Sequence, residues 1–198
     1  MKSKKYKNLE ELIAKLPNHS FSINGKQMEP VCLVIEGNKR QIRRSFRAAG
    51  WYLADSIGFI STLKSAVSSL LNLSYRDGPM WPSYINGKKH QLGFERPTKT
   101  DTYRRRHHLR LWTTGFKVGK KRVWVGTISY DRGIGRFKGS LLPTHHIGPT
   151  LVLEEGYLAR TFDIQAPKYL RLGQSETGVI NTGDDYVWDG RALIINLK

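Results

Sequence analysis

The sequence predicts an α+β domain, a largely antiparallel, mixed sheet with three to four helices, and three observations carry that prediction. Apolar residues recur at helical spacing in four separate stretches. From about residue 75 onward the pattern shifts to short alternating runs bounded by Gly, Pro and Asn, as strands require. No internal repeat and no linker divides the 198 residues, so a single domain is expected. With 39% hydrophobic and 11% aromatic residues the chain can build a packed core, which excludes a charge-expanded disordered polymer. Residues 1–29 read as an N-terminal helix and extension, and 30–198 as the domain.

The elements follow in order. Asn8 is a suitable N-cap, and Leu9, Leu12, Ile13 and Leu16 repeat at helical spacing until Pro17 stops the run. Residues 18–30 are turn-rich. Val31 to Ile35 is β-branched and apolar on both parities, which predicts a buried strand. Asn38 caps a helix whose stripe is Ile42, Phe46 and Ala49; Lys39, Arg40, Arg43, Arg44 and Arg47 cover the rest, and Gly50 ends it. Trp51 to Ala54 reads as a strand, and Leu63, Ala66, Val67, Leu70 and Leu71 as another helix face opened by Ser61 or Thr62. Asn86-Gly87 signals a tight hairpin between Tyr84 and Lys88, with Gln91 to Glu95 as the return strand. His107 to Thr114 and Arg122 to Tyr130 are two strands joined through Gly115, Gly119 and Lys120. Pro149 suits the first position of a helix carrying Leu151, Val152, Glu155 and Leu158, and Tyr186 to Lys198 reads as a hairpin turned at Asp189-Gly190.

Thirty-three Lys and Arg against 16 Asp and Glu give a net charge of +17, which favours anionic partners: a small phosphorylated molecule, a lipid headgroup or nucleic acid. The single cysteine, Cys32, forms no internal disulfide, and the start of the chain lacks the apolar stretch of a signal peptide. No apolar run approaches the roughly 18 residues of a membrane span. A cytoplasmic protein, at most peripheral to a membrane, is the expectation; its oligomeric state is open. The sequence contains neither a Gly-x-Ser-x-Gly elbow nor a phosphate-binding P-loop, which argues against serine hydrolases and ordinary nucleotide triphosphatases.

Four of the six histidines lie in two adjacent pairs, His107-His108 and His145-His146. On a strand, Leu109 and Leu111 mark the core side together with His107, so Arg106, His108, Arg110 and Trp112 share the other face. Guanidiniums offer permanent bidentate charge and an imidazole moves a proton near neutral pH, a combination suited to a phosphate. The second pair precedes a helix start, where exposed amides favour an anion, and Asp131 is placed to orient one of its imidazoles. His108, His145, His146 and Asp131 are therefore the candidate catalytic residues, with Arg106, Arg110 and Arg132 as anion ligands. Two histidines and a carboxylate suffice for a divalent metal, but their spacing matches no helical or cysteine-containing zinc pattern, so no metal ligands and no definite cofactor are assigned.

The set Arg106-His107-His108-Leu109-Arg110-Leu111-Trp112, Val123-Trp124-Val125-Gly126, Ser129-Tyr130-Asp131-Arg132-Gly133 and Thr144-His145-His146-Ile147 resembles the LssY C-terminal domain family. The resemblance extends through Gly93-Phe94-Glu95-Arg96-Pro97 to Gly183-Asp184-Asp185-Tyr186 and covers roughly residues 30 to 197. Members often carry the domain after membrane regions similar to DedA and lipid-phosphatase proteins, which implies work near phospholipids; this chain looks like a stand-alone version. Two expectations of different class result. One is a hydrolase acting on a phosphate-containing, lipid-related anion through paired histidines and arginines. The other is a non-enzymatic module, a basic binder of nucleic acid or anionic membrane or a secretion-associated scaffold.

Overall fold

A computed structural model of the chain describes residues 11–12, 14–54, 80–98, 105–136, 138, 141 and 143–197. Of these, 50% lie in strands and 15% in helices, with two helices among the described residues. The fold is therefore β-rich, which corrects the expected α+β domain with three to four helices. Two causes account for the difference. Of the four helical stretches, 39–48 and 151–161 form helices, whereas most of the leading stretch and all of 61–71 lie outside the described residues. In addition, polar segments with little strand propensity, such as 18–30, are drawn into strands by partners distant in sequence, since strand formation reports tertiary pairing more than intrinsic preference.

The elements are β1 (His19–Phe21), β2 (Gln27–Pro30), β3 (Leu33–Glu36), α1 (Lys39–Ala48), β4 (Tyr52–Leu53), β5 (Tyr84–Ile85), β6 (Lys88–Lys89) and β7 (Leu92–Pro97). They continue with β8 (Arg106–Val118), β9 (Lys121–Arg136), β10 (Pro143–Ile147), α2 (Leu151–Thr161), β11 (Lys168–Arg171), β12 (Glu176–Val179), β13 (Asp185–Trp188) and β14 (Arg191–Asn196). The main sheet runs β11-β14-β3-β9-β8-β7-β4, with β10 also paired to β9, and is antiparallel except for β14 against β3. A smaller sheet, β2-β1-β5-β6, lies apart from it.

At the centre, β8 and β9 form a long hairpin closed by Gly119-Lys120, with Val118 opposite Lys121 and Gly119 at φ +58°, the positive angle a two-residue turn of this kind needs at its first position. Asn86 and Gly87 both have positive φ and turn β5 directly into β6; the return strand is 88–89, while β7 joins the main sheet instead. Likewise β13 and β14 diverge after Asp189-Gly190, β13 pairing with β12 and β14 with β3 and β11. No described helix is long and apolar enough to cross a membrane.

Strand alternation gives the main sheet two faces. One carries Leu33, Ile35, Phe94, Leu109, Leu111, Trp124, Ile128, Leu193 and Ile195 in one apolar cluster with Ile42 and Phe46 of α1 and Leu151 and Leu158 of α2. The Phe46 and Phe94 rings stack at 4.5 Å, and the capping box between Asn38 and Gln41 fixes where α1 begins. The other face is apolar only in part, around Val34, Trp112, Val123, Val125 and Ala192, which cluster with Val31, Ile85 and Leu12. Beyond Trp112 it turns polar.

Candidate functional site

That polar half is built by register. Arg106, His108 and Arg110 of β8 stand beside Asp131, Ser129 and Thr127 of β9, and Glu95 of β7 stands beside His108. Residues directly opposite on paired strands share a face, so these seven side chains point the same way. All are buried, and Glu29 from β2 joins them from above. The sequence predicts the parity; the burial comes from β1 and β2, in a stretch read from sequence as an extension.

Asp131 is the hub. Its Oδ1 lies 3.2 Å from His108 Nδ1, and its Oδ2 lies 3.1 Å from Arg106 Nε and 3.3 Å from His145 Nδ1. Arg106 Nη1 meets Glu95 Oε2 at 2.6 Å. Arg110 donates from Nη1 to Glu29 Oε1 at 2.9 Å and from Nε to the Trp81 carbonyl at 3.2 Å, and its Nη2 has no partner among the described residues. His108 is engaged through both nitrogens, Nε2 lying 2.9 Å from Ser129 Oγ and 3.6 Å from Glu29 Oε1.

This arrangement separates the two imidazoles. Burial opposes the charged form of His108, but Asp131 and Glu29 outweigh it and lift its pKa above the ordinary value. His145 is pushed down to about 4, chiefly by burial, with Arg106, His108 and His146 adding repulsion that Asp131 does not cancel. Burial also resists ionisation of Asp131 and Glu29; the cations beside them prevail and hold both below the usual carboxylate range. Burial pushes Glu95 up to about 7 against the pull of Arg106. The site thus pairs His108, whose charged form Asp131 and Glu29 favour, with a His145 that is neutral at neutral pH and has Nδ1 near Asp131, beside arginines largely matched by carboxylates.

Above these groups opens a cavity of about 580 Å³. Arg106, His108, Arg110, Asp131, Glu29 and His145 form its floor, and Met28, Met80, Ile147 and Ile180 are among its walls. Among the described residues, no group of three His, Cys, Asp or Glu side chains is arranged to hold a metal ion.

Five of the predicted residues therefore converge on one cavity: Arg106, His108, Arg110, Asp131 and His145. The other two do not. His146, the strand neighbour of His145, puts Nδ1 2.7 Å from Asp184 Oδ1, and the mostly exposed Arg132 reaches the same oxygen at 3.3 Å. Asp184 also accepts from Thr182 Oγ1 at 2.6 Å and from the Ile147 amide at 3.3 Å, so His146, Arg132 and Asp184 clasp β10 and are not among the cavity's lining residues. His107 faces the helices, 2.6 Å from Glu154 and stacked on Tyr157. Sequence reasoning missed Glu29, Glu95 and Ser129. A signal existed: two arginines on a strand face that is also buried require carboxylate partners, and Glu95 is the lone acid of β7, which pairs with β8.

No curated protein and no solved structure matches the chain. The sequence profile described as LssY C-terminus does, over residues 13–192, a span that holds every element from β1 to β13 and each member of the cavity floor. On that match across nearly its whole length, the chain belongs to the LssY C-terminus family.

Proposed function

We propose that the cavity is the active site of a phosphoester hydrolase acting on an anion with an organic, partly apolar remainder. The observation that carries this reading is Asp131 Oδ2 lying 3.3 Å from Nδ1 of a neutral, cavity-lining His145, while Arg110 and His108, whose charged form is favoured, stand on the same floor. With Nδ1 turned to the carboxylate, Nε2 is the nitrogen through which His145 takes a proton from an attacking water. The water oxygen bonds to phosphorus as the ester P–O bond breaks, and the departing oxygen takes a proton from solvent. Arg110 Nη2 and the positive charge of His108 meet the charge that builds on the phosphoryl oxygens. Because both nitrogens of His108 are engaged by Asp131 and Ser129, it acts through its field rather than as a proton donor to the leaving group. Arg106 positions Asp131.

The test is a panel of phosphomonoesters and phosphodiesters, assayed with and without divalent metal. His145→Ala should lower turnover about 10²–10⁴-fold, the usual contribution of a general base, with the unfolding midpoint as a control for folding. In the parent enzyme kcat/KM should fall as pH drops through about 4, where His145 becomes protonated. Turnover that ignores His145→Ala would overturn the assignment.

A second reading rests on a different surface. Lys39, Arg40, Arg43, Arg44 and Arg47 are exposed on α1 and make no ion pair among the described residues, a cationic face suited to a polyanion such as nucleic acid. Retardation of nucleic acid that weakens steeply with salt and is lost in an Arg43→Glu, Arg47→Glu double variant would support it; no retention at low salt removes it.

A further inference from the structure

The cavity is larger than an inorganic anion needs, and two large apolar side chains, Ile23 and Trp81, stand exposed among its lining residues. We propose that its ligand is an amphiphile drawn from an anionic lipid bilayer, on which Ile23 and Trp81 seat the mouth. The proposal rests on the reading of the floor as a phosphate site, and adds the class of molecule and the surface it comes from.

Three observations carry it. First, about 580 Å³ falls within the roughly 300–1,000 Å³ of sites that enclose whole organic ligands. Its buried charged groups, Arg106, His108, Arg110, Glu29 and Asp131, lie together, and the buried Met28, Met80, Ile147 and Ile180 add apolar lining, so a ligand with a charged end and an apolar remainder matches it.

Second, two large apolar side chains at the mouth are held out into solvent. Ile23 is 75% exposed in the connection between β1 and β2, a turn closed by Ser22 N to Lys26 O at 2.8 Å and Lys26 N to Ser22 Oγ at 3.1 Å. Trp81 is 62% exposed, whereas Trp51, Trp112, Trp124 and Trp188 are at most 3% exposed. The Trp81 backbone is tied to the floor by Arg110, so its indole is displayed on an anchored segment. An isolated exposed apolar residue needs no explanation; an aliphatic and an indole flanking one cavity mouth form the contact a membrane interface takes up.

Third, the charge at this rim is complementary to such a surface. Lys26 and Lys138 line the cavity and are exposed, while its carboxylates, Glu29 and Asp131, sit buried beside arginine and histidine on the floor. Lysines beside an interfacial tryptophan are drawn to anionic headgroups, and the attraction is screened by salt.

Trp81 also supplies the readout, because the other four indoles are already shielded from water. The full chain is mixed with vesicles of phosphatidylcholine alone or of phosphatidylcholine with phosphatidylglycerol, and tryptophan emission and co-sedimentation are followed. Anionic vesicles should shift the emission to the blue and carry the protein down; neutral ones should do so far less. Trp81→Ala should abolish the shift, and Ile23→Asp should weaken binding about tenfold or more, as loss of one buried aliphatic contact implies. A monomeric short-chain phosphatidate should raise the unfolding temperature more than inorganic phosphate does. Absence of binding to anionic vesicles, binding that both variants leave unchanged, a shift that tracks protein self-association, or equal stabilisation by phosphate and phosphatidate would each overturn the proposal. The hydrolase reading fails separately: vesicle binding without turnover of any phosphoester would remove the enzyme while leaving the seat.

Discussion

The two faces of β8 are made by the same thirteen residues and held by opposite physics. Leu109 and Leu111 point into the helix-covered face, where neighbours must match them in volume. Arg106, His108 and Arg110 point into the cavity face, where neighbours must match them in charge. The difference teaches where tolerance lies. An apolar face loses stability in proportion to the space left behind, whereas a buried ionic face loses it when one partner is removed and regains it when both go.

Arg110 gives the largest expected effect. Arg110→Leu leaves the Glu29 carboxylate buried without its 2.9 Å partner, and should cost about 3–5 kcal/mol in urea unfolding. Adding Glu29→Leu should recover most of that loss, a strongly non-additive cycle. Strictly additive losses would show that the cavity face is held by packing, like the other face.

Leu109→Ala probes the opposite face and should cost about 3 kcal/mol, within the usual span for a fully buried leucine. No second substitution among its apolar neighbours should rescue it. Turnover per folded molecule should stay near that of the parent, since Leu109 points away from the cavity floor. A rescue by Leu111→Ala would break the contrast between the faces.

How much of this was legible follows the range of the interactions. The parity of β8 and its hairpin with β9 are written locally, in the alternation of Leu109 and Leu111 with Arg106, His108 and Arg110. The partners of those cations are not, because Asp131 is 25 residues from Arg106 and Glu29 is 81 residues from Arg110. In the polar run 18–30 only Asn24-Gly25 hints at the β1–β2 hairpin, and nothing says that this hairpin covers the site. The second histidine pair shows the same limit. Alternation implies that His145 and His146 point to opposite sides, but which of them meets Asp131 depends on the register of β10 against β9, which shifts between His146 and Ile147.

Glu155 is the exception on the apolar side. It is fully buried, neither carboxylate oxygen has a hydrogen-bond partner among the described residues, and burial, with Asp189 adding repulsion, raises its pKa from the ordinary 4.5 to about 9. An acid raised in the folded state keeps a proton that the unfolded chain has released, so stability falls as pH rises from about 4.5 to about 9. Glu155→Met should leave stability at pH 5 almost unchanged and raise it by about 2 kcal/mol at pH 8, a discounted figure for a partly relaxing site. Comparing variant with parent at each pH isolates this residue from His108, whose raised pKa also lowers stability as pH rises. Equal curves for variant and parent between pH 5 and pH 8 would mean that the carboxylate is compensated within the fold.

Gly126 is where the two faces touch, and it carries the smallest expected effect. It lies opposite Leu111 on β8 and Leu33 on β3, and a Cβ there would stand 2.5 Å from Leu111 Cδ2 and 2.7 Å from the carbonyl oxygen of Arg110. Leucine can turn away from such a methyl group, but the carbonyl belongs to the backbone that aims Arg110 at the cavity. Gly126→Ala should therefore cost about 1–2 kcal/mol of stability, as modest overpacking does. Unlike Leu109→Ala, it should also weaken ligand binding on the far side of the sheet, read as a raised KM for a phosphoester at pH 7. A loss of stability with KM unchanged would mean that β8 absorbs the methyl group on one face without moving the other, and that the two faces are mechanically independent.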